Sequence, residues 1–355
     1  MIDFRYHLVS IVAIFLALTV GLVLGTTMLQ DPLLNTLKSE TSDLREQSDQ
    51  LRSDKDVADK LNAGGGELIS AYADAMLADL LDDVDVVVLE SPGVDTATRD
   101  ELVARIEQAG GNVPGQVVFT DKYVDPGQAT FVDELTEQLA EGMRLPKGGA
   151  HEKAGAELAR AVLRPEDDAR GGGDDDAADG SDDEAGEEFD ADAVLAGFTE
   201  AGLLTVQGRV AERADIAVVL APARPFTAEN APSPKDAENP PGNDVMLALT
   251  RALDDASDGA VLVGGTGSTD PGGLVAQARA EEAAFSTVDS AGSTSGNVVA
   301  VLVIADARAT RSGAYGIGDG VDGFLPDPLP EPVEKKDADN GNRQQQDVQA
   351  SASTS

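Results

Sequence analysis

The 355-residue chain has no cysteine, no tryptophan and only two histidines, and its 26 Lys+Arg are far outnumbered by 65 Asp+Glu. Without cysteine there is no disulfide, no thiolate metal cluster and no cysteine nucleophile, whatever the redox state of the compartment. Two histidines, His7 and His151, cannot make a conventional His-based metal site alone. The formal net charge is −39. So acidic a surface repels phosphates, because duplex binding depends on Lys and Arg displacing counterions, and nucleic acid is excluded as a partner. Hydrolase and metalloprotease signatures (G-x-S-x-G, H-E-x-x-H) are also missing, so no enzymatic chemistry is expected. Acid pairs such as Asp82-Asp83 and Asp254-Asp255 are what a composition rich in acids produces by itself, and they read as solvated faces.

Charge is as uneven as it is scarce on the basic side. From Leu8 to Leu29 there are 22 residues with none (LVSIVAIFLALTVGLVLGTTML). As a helix rising about 1.5 Å per residue they reach across a bilayer core of about 30 Å. A cleaved signal would have a shorter apolar stretch ending in a small-residue site, for which Gly25-Thr26-Thr27 is a poor substitute. Residues 1–30 therefore read as a single transmembrane anchor in the lipid bilayer. Arg5 precedes the span and no Lys or Arg follows it until Lys38, which puts the N-terminus in the cytoplasm and the main domain outside. Gly21 and Gly25 form a G-x-x-x-G that either eases close helix approach or reflects the general frequency of Gly in membrane helices.

Residues 31–63 read as a helical stalk. Asp31-Pro32 is a start signal, with Asp as cap and Pro at the first helical position. Leu37, Leu44, Leu51 and Ala58 recur every seven residues, but the companion heptad positions are Leu34, Thr41, Ser48 and Lys55. Only half of the seam is apolar, which describes a weak coiled coil or a solvated single helix. Together stalk and anchor predict a homodimer or higher homo-oligomer. Gly64-Gly65-Gly66 is expected to end the stalk.

From residue 67 to 325 the pattern is α/β. Glu67 to Asp82 reads as an amphipathic helix with Leu68, Tyr72, Met76 and Leu80 on one side. Continuous apolar strands are expected at Val84–Leu89, Gln116–Phe119, Ile216–Ala221, Ala260–Val263 and Phe285–Val288. Helices are expected at Thr96–Ala109, Thr130–Glu141, Asp244–Ala256 and Gly273–Glu282. Such alternation argues for a parallel sheet covered on both faces, a Rossmann- or flavodoxin-like domain. Val298–Arg308 suits strand or helix, and its Ala content, closing Arg308 and Arg311 and terminal Gly313 favour helix. Two interruptions are expected. Residues 164–192 carry 14 acids and two bases in 29 residues and read as a disordered acidic insert. Residues 222–243 read as a Pro-rich loop, and 326–355 as a disordered tail.

The opening MIDFRYHLVSIVAIFLALTVGLVLG and the heptad region after it resemble the start of the actinobacterial family named for mycobacterial copper transport protein B. Further agreement lies in Val86 to Leu89 followed by Pro92-Gly93, in Ser286-Thr287-Val288-Asp289, and in Gly313-Ala314-Tyr315-Gly316-Ile317-Gly318. The resemblance implies a membrane-anchored cell-envelope protein of copper homeostasis, with copper as a transported ion and a pore as its route. The residues themselves supply no recognisable copper site. Met1, Met28, Met76, Met143 and Met246 are scattered, and His151 beside Glu152 is at most a two-ligand start. One helix encloses no channel, so a pore would need oligomerised anchors or a partner. The alternative is a non-transporting scaffold that presents its domain to envelope proteins.

One loop has the context of a phosphate cradle. Gly264-Gly265-Thr266-Gly267-Ser268 follows a predicted strand and precedes a predicted helix. Asp270 stands where a Rossmann fingerprint has its third glycine, and an acid there repels phosphate, so a structural turn is the competing reading. Gly313 to Gly320 around Tyr315 reads as a packing turn. No stably bound cofactor is expected.

Overall fold

A computed structural model describes residues 4–140, 145–164, 189–226, 239–308 and 312–333, with the backbone alone for 26–35. Most of the acidic insert (165–188), the centre of the Pro-rich loop (227–238) and the end of the tail (334–355) lie outside the described residues. The chain forms two units, Met1–Gly65 and Gly66–Ser355.

The first unit is helical throughout its described residues. Helix α1 (Phe4–Leu77) begins in it, and Gly64, Gly65 and Gly66 lie within that helix rather than ending it. Three glycines cost roughly 3 kcal/mol of helix propensity relative to alanine. Strong helix formers on both sides, Lys60, Leu61 and Ala63 before and Glu67 and Leu68 after, carry the helix across.

The second unit is a three-layer α/β structure around a seven-stranded sheet. Its strands are β1 (Val86–Glu90), β2 (Gly115–Phe119), β3 (Leu204–Gly208), β4 (Ile216–Leu220), β5 (Ala260–Val263), β6 (Ser286–Val288) and β7 (Ala314–Tyr315), in spatial order β3-β2-β1-β4-β5-β6-β7. All neighbours are parallel except β2 and β3. This is the Rossmann-type order, with a reversal of direction in the winding between β1 and β4. The antiparallel β3 was not expected from the sequence. Its LTVQG is largely exposed past Leu204, as suits an edge strand.

The helices are α2 (Thr96–Gln108), α3 (Asp121–Val124), α4 (Ala129–Leu139), α5 (Ala150–Val162), α6 (Ala191–Glu200), α7 (Pro241–Asp255), α8 (Leu274–Ala280) and α9 (Thr294–Ala307). The strand side chains alternate between two cores. Val87, Leu89, Ala217, Val219 and Leu262 join Leu158 of α5, Phe198 of α6 and Leu249 of α7 on one face. Val86, Val88, Ile216, Val218 and Val261 join Leu102 and Ile106 of α2 and Val298 to Ile304 of α9 on the other. With both faces covered, Val86–Leu89 of β1 and the whole of β4 and β5 are continuous apolar runs without polar alternation. Val298–Arg308 resolves as helix α9, which starts at Thr294 with the Ser293 hydroxyl accepting from the Gly296 N–H at 3.0 Å.

Several boundaries differ from those expected. The last turns of α1 bury Ala73 and Leu77, with Ile69 packed beside them, whereas Leu68, Tyr72 and Met76 are exposed. The buried face is thus one residue round from the expected face, because Leu80 lies beyond the helix end, in the turn that leads to β1. The acidic insert is anchored at both described ends. Arg164 pairs with Asp85 and Asp215, each at 2.7 Å, and the Arg160 guanidinium stacks on Phe189, with α6 starting at Ala191. Burial raises the Asp215 carboxyl above its ordinary value, opposed by the Asp85 N–H bond and by Arg164. At the Pro-rich loop, Pro241 to Asn243 already belong to α7, since proline suits a first helical turn. The described structure continues past residue 325, with Pro326 buried and the Val333 N–H bonded to the Asp79 carbonyl at 2.9 Å.

Candidate functional site

In an open parallel sheet, ligands are received outside the carboxyl ends of the strands where the winding reverses. Here that place lies beyond β1 and β4. β1 ends in Glu90, an acid only 6% exposed at the close of a Val/Leu run. Its charge is answered by Arg99 of α2, with Nη1 3.1 Å from Oε2. Arg99 also bonds Asp100, and these two acids raise the guanidinium pKa, Asp100 most strongly. Ser91 follows, its hydroxyl buried without a hydrogen-bond partner. Pro92-Gly93 then turns the chain toward α2, with Gly93 at φ +85, a left-handed conformation that glycine adopts without strain.

Beyond these turns lies a cleft of about 960 Å³, lined by Pro92, Pro126, Pro222, Pro225, Pro240 and Pro241, by Phe226, and by the charged residues Asp121, Asp125 and Arg224. Proline carries no N–H, so six of the fifteen lining residues offer no backbone donor. The cleft suits an apolar or extended ligand with a small number of polar anchors. Among the described residues its lining includes no His, Cys or Met.

No residue of the Gly264–Ser268 loop lines the cleft, but the loop packs against Ala223, which does. The Gly264 N–H bonds to the Val288 carbonyl at 2.8 Å, and the Ser268 N–H and hydroxyl bond to the Gly265 carbonyl at 2.9 and 2.6 Å. A side chain on Gly267 would run into the Ala223 carbonyl, and one on Gly264 into Ser268 and Ala221. These two glycines let the loop after β5 pack against the loop after β4. Thr266–Thr269 form a 3-10 turn that begins within the loop, and α8 begins only at Leu274.

Two segments that carried the family resemblance meet at the far edge of the sheet. The Asp289 carboxylate, fully buried after β6, accepts from the Ile317 and Gly318 N–H groups at 2.8 Å each and from Arg279 Nη1 at 2.7 Å. Arg279, 6% exposed on α8, also donates to the Thr287 hydroxyl at 3.1 Å and the Tyr315 carbonyl at 3.0 Å. Gly316, at φ +129, has no room for a Cβ beside Asp289. The Ser286–Asp289 stretch and the Gly313–Gly318 turn are therefore one clasp, closed by an arginine outside both. Glu90, Arg99 and Arg279 were not singled out from the sequence. The local signals were Glu90 at the close of a Val/Leu run and Arg279 between two alanines, whereas Arg99, between Thr98 and Asp100, gave none.

Of the copper-competent side chains, those of His7, His151, Met76 and Met246 are described. His151 sits in the first turn of α5, its ring edge-on to Tyr123 at 5.8 Å between centroids, with Nε2 buried and unpartnered. Burial pushes the imidazole below its ordinary pKa, and its bond to the Tyr123 backbone carbonyl pulls the other way. Met246 is fully buried on α7, and Met76 is half-exposed on α1. Among the described residues no group of three or more His, Cys, Asp or Glu is placed to hold a metal ion.

Phe4–Gly25 has a mean hydropathy of 2.7 with none of it buried, so it is long and apolar enough to cross a membrane. The family described as "Copper transport outer membrane protein, MctB" matches residues 1–326, from that helix through the clasp. Proteins named copper transporter MctB from Mycobacterium tuberculosis and Mycobacterium bovis are each 30% identical over 337 residues, covering 90% of this chain and 98% of theirs. The Mycobacterium leprae protein of that name is 29% identical over 333 residues, with the same coverage. Helix and kinship both point to membrane association. The chain belongs to the MctB family of copper transport outer membrane proteins.

Proposed function

We propose that this is a membrane-anchored cell-envelope protein of copper homeostasis that contributes to copper efflux and resistance, with copper as cargo and without enzymatic chemistry. The observation that carries this reading is the extent of the family match, which takes in the apolar helix and the α/β unit together. No ligand set in the described residues supplies the copper link, so it rests on kinship. The orientation proposed is N-terminus in the cytoplasm and α/β unit outside, on the charge asymmetry between Arg5 and Lys38 around the span. Deleting the gene should lower copper tolerance and raise cell-associated copper, and returning the full chain should reverse both. If tolerance and copper content do not change, the reading fails.

A second reading is a scaffold that binds envelope proteins and transports nothing. It is favoured by the proline-walled cleft beyond β1 and β4, which suits an extended peptide better than a metal ion. Ion conductance by the purified full-length protein in a planar bilayer would exclude it.

A further inference from the structure

We infer that residues 37–58 form a parallel, in-register homodimeric coiled coil, held by the Leu37, Leu44, Leu51 and Ala58 seam and oriented by charge. The inference stands apart from the copper reading, because it uses only the helix and its side chains. Leu37, Leu44 and Leu51 are 50, 65 and 69% exposed on a helix that places them on one stripe. If these residues are the d positions, the a positions are Thr41, Ser48 and Lys55, too polar for the seam alone to fix orientation.

The flanking rows settle the orientation. The e positions are Lys38, Arg45 and Arg52, all basic, and the g positions are Glu40, Gln47 and Asp54, acidic or neutral. In a parallel pair each g faces the e of the next heptad on the partner. That brings Glu40 to Arg45 of the second copy and Gln47 to its Arg52. In an antiparallel pair e faces e and g faces g, which sets basic against basic and acidic against acidic. The row breaks at its end, where Asp54 would meet Asp59 of the second copy. Asp59 is there tied to Lys55 of its own helix at 2.5 Å, and Gln50 donates to Asp54 at 2.8 Å. Arg52 lies 3.8 Å from Asp49 on its own helix, an exposed and weak contact that leaves it able to reach across. Two copies anchored by the same span also enter the stalk pointing the same way. The occupant of the stripe is therefore a second copy of this chain.

The absence of cysteine makes the test clean. In full-length protein in membranes, single variants Leu37→Cys, Leu44→Cys and Leu51→Cys are oxidised with diamide, with Ser39→Cys and Ser53→Cys on the outward face as controls. All three seam variants should give disulfide-linked dimers several-fold in excess of the controls. Equal yields at seam and control positions would mean random collision and overturn the inference. Cross-linking at only one seam position would mean antiparallel or staggered pairing and would also overturn it. In the Leu51→Cys background, Glu40→Lys and Arg45→Glu should each lower the yield, and the two together should restore it. Failure of the double exchange to restore the yield removes the assigned charge pairing.

Discussion

The start of α1 and helix α9 are both almost wholly apolar, and they end up in opposite surroundings. Phe4–Gly25 is 22 residues long with none of that stretch buried, whereas Thr294–Ala307 buries Val298 to Ile304 against the sheet. Length separates them, since about 20 residues are needed to cross a bilayer and α9 has 14. Partners separate them as well. α9 finds β1, β4, β5 and α2 on one side of the sheet, while the apolar surface of Phe4–Gly25 can leave water only in lipid or against another chain. Similar composition therefore has two physical roles, and single charges should act on each differently.

The largest effect is expected at α9. Val301→Asp places an unpaired charge at a fully buried position and should cost more than about 4 kcal/mol, enough to unfold the α/β unit, as read by circular dichroism and protease resistance. Next comes the clasp. Arg279→Ala leaves the Asp289 carboxylate buried without its guanidinium and should lower stability by about 3–5 kcal/mol in chemical denaturation. Leu16→Arg should leave the α/β unit folded and act on the membrane alone, disfavouring insertion by about 2.5–3.5 kcal/mol and moving protein from the membrane to the soluble fraction. A soluble fraction as small as the wild type's would show that Phe4–Gly25 does not set membrane retention.

The smallest effect is a pH dependence. The His151 imidazole is held below its ordinary value in the folded state, so the unfolded state takes up the proton first. Its contribution is present above the unfolded value of about 6.5 and is lost as pH falls below it. Burial also pushes Glu157 up, which gives the opposite slope, because protonation at low pH relieves that buried charge. The measurement is therefore a difference. The gap in unfolding midpoint between wild type and His151→Gln should narrow or reverse between pH 7 and pH 5.

Much of this fold could be read from the chain, and the limits have physical reasons. The buried parallel strands β1, β4 and β5 appear as apolar runs because helices cover both faces of the sheet, while β2 and β6 show shorter apolar stretches, Val117–Phe119 and Phe285 with Val288. β3 escaped notice because an edge strand with exposed Thr205, Gln207 and Gly208 shows no such run, and β7 because it has two residues. Helices α5 and α6 were missed beside the acidic insert, although α5 sets Ala154, Leu158, Ala161 and Val162 on one buried face, because that face is made largely of small alanines. The candidate site was less legible. The Gly264–Ser268 loop was visible as a turn, but its packing on Ala223 is a long-range contact. The same holds for the clasp, in which Arg279, Asp289 and Ile317 are brought together by strand order.

The measurement that tests the account most directly is cell-associated copper in a deletion strain complemented with the wild-type chain or with Leu16→Arg, under copper challenge. The wild type should return copper to the parental level, and the span variant, although folded, should not. Equal copper in the deletion strain and its parent, or full restoration by a Leu16→Arg protein lost from the membrane, would contradict it.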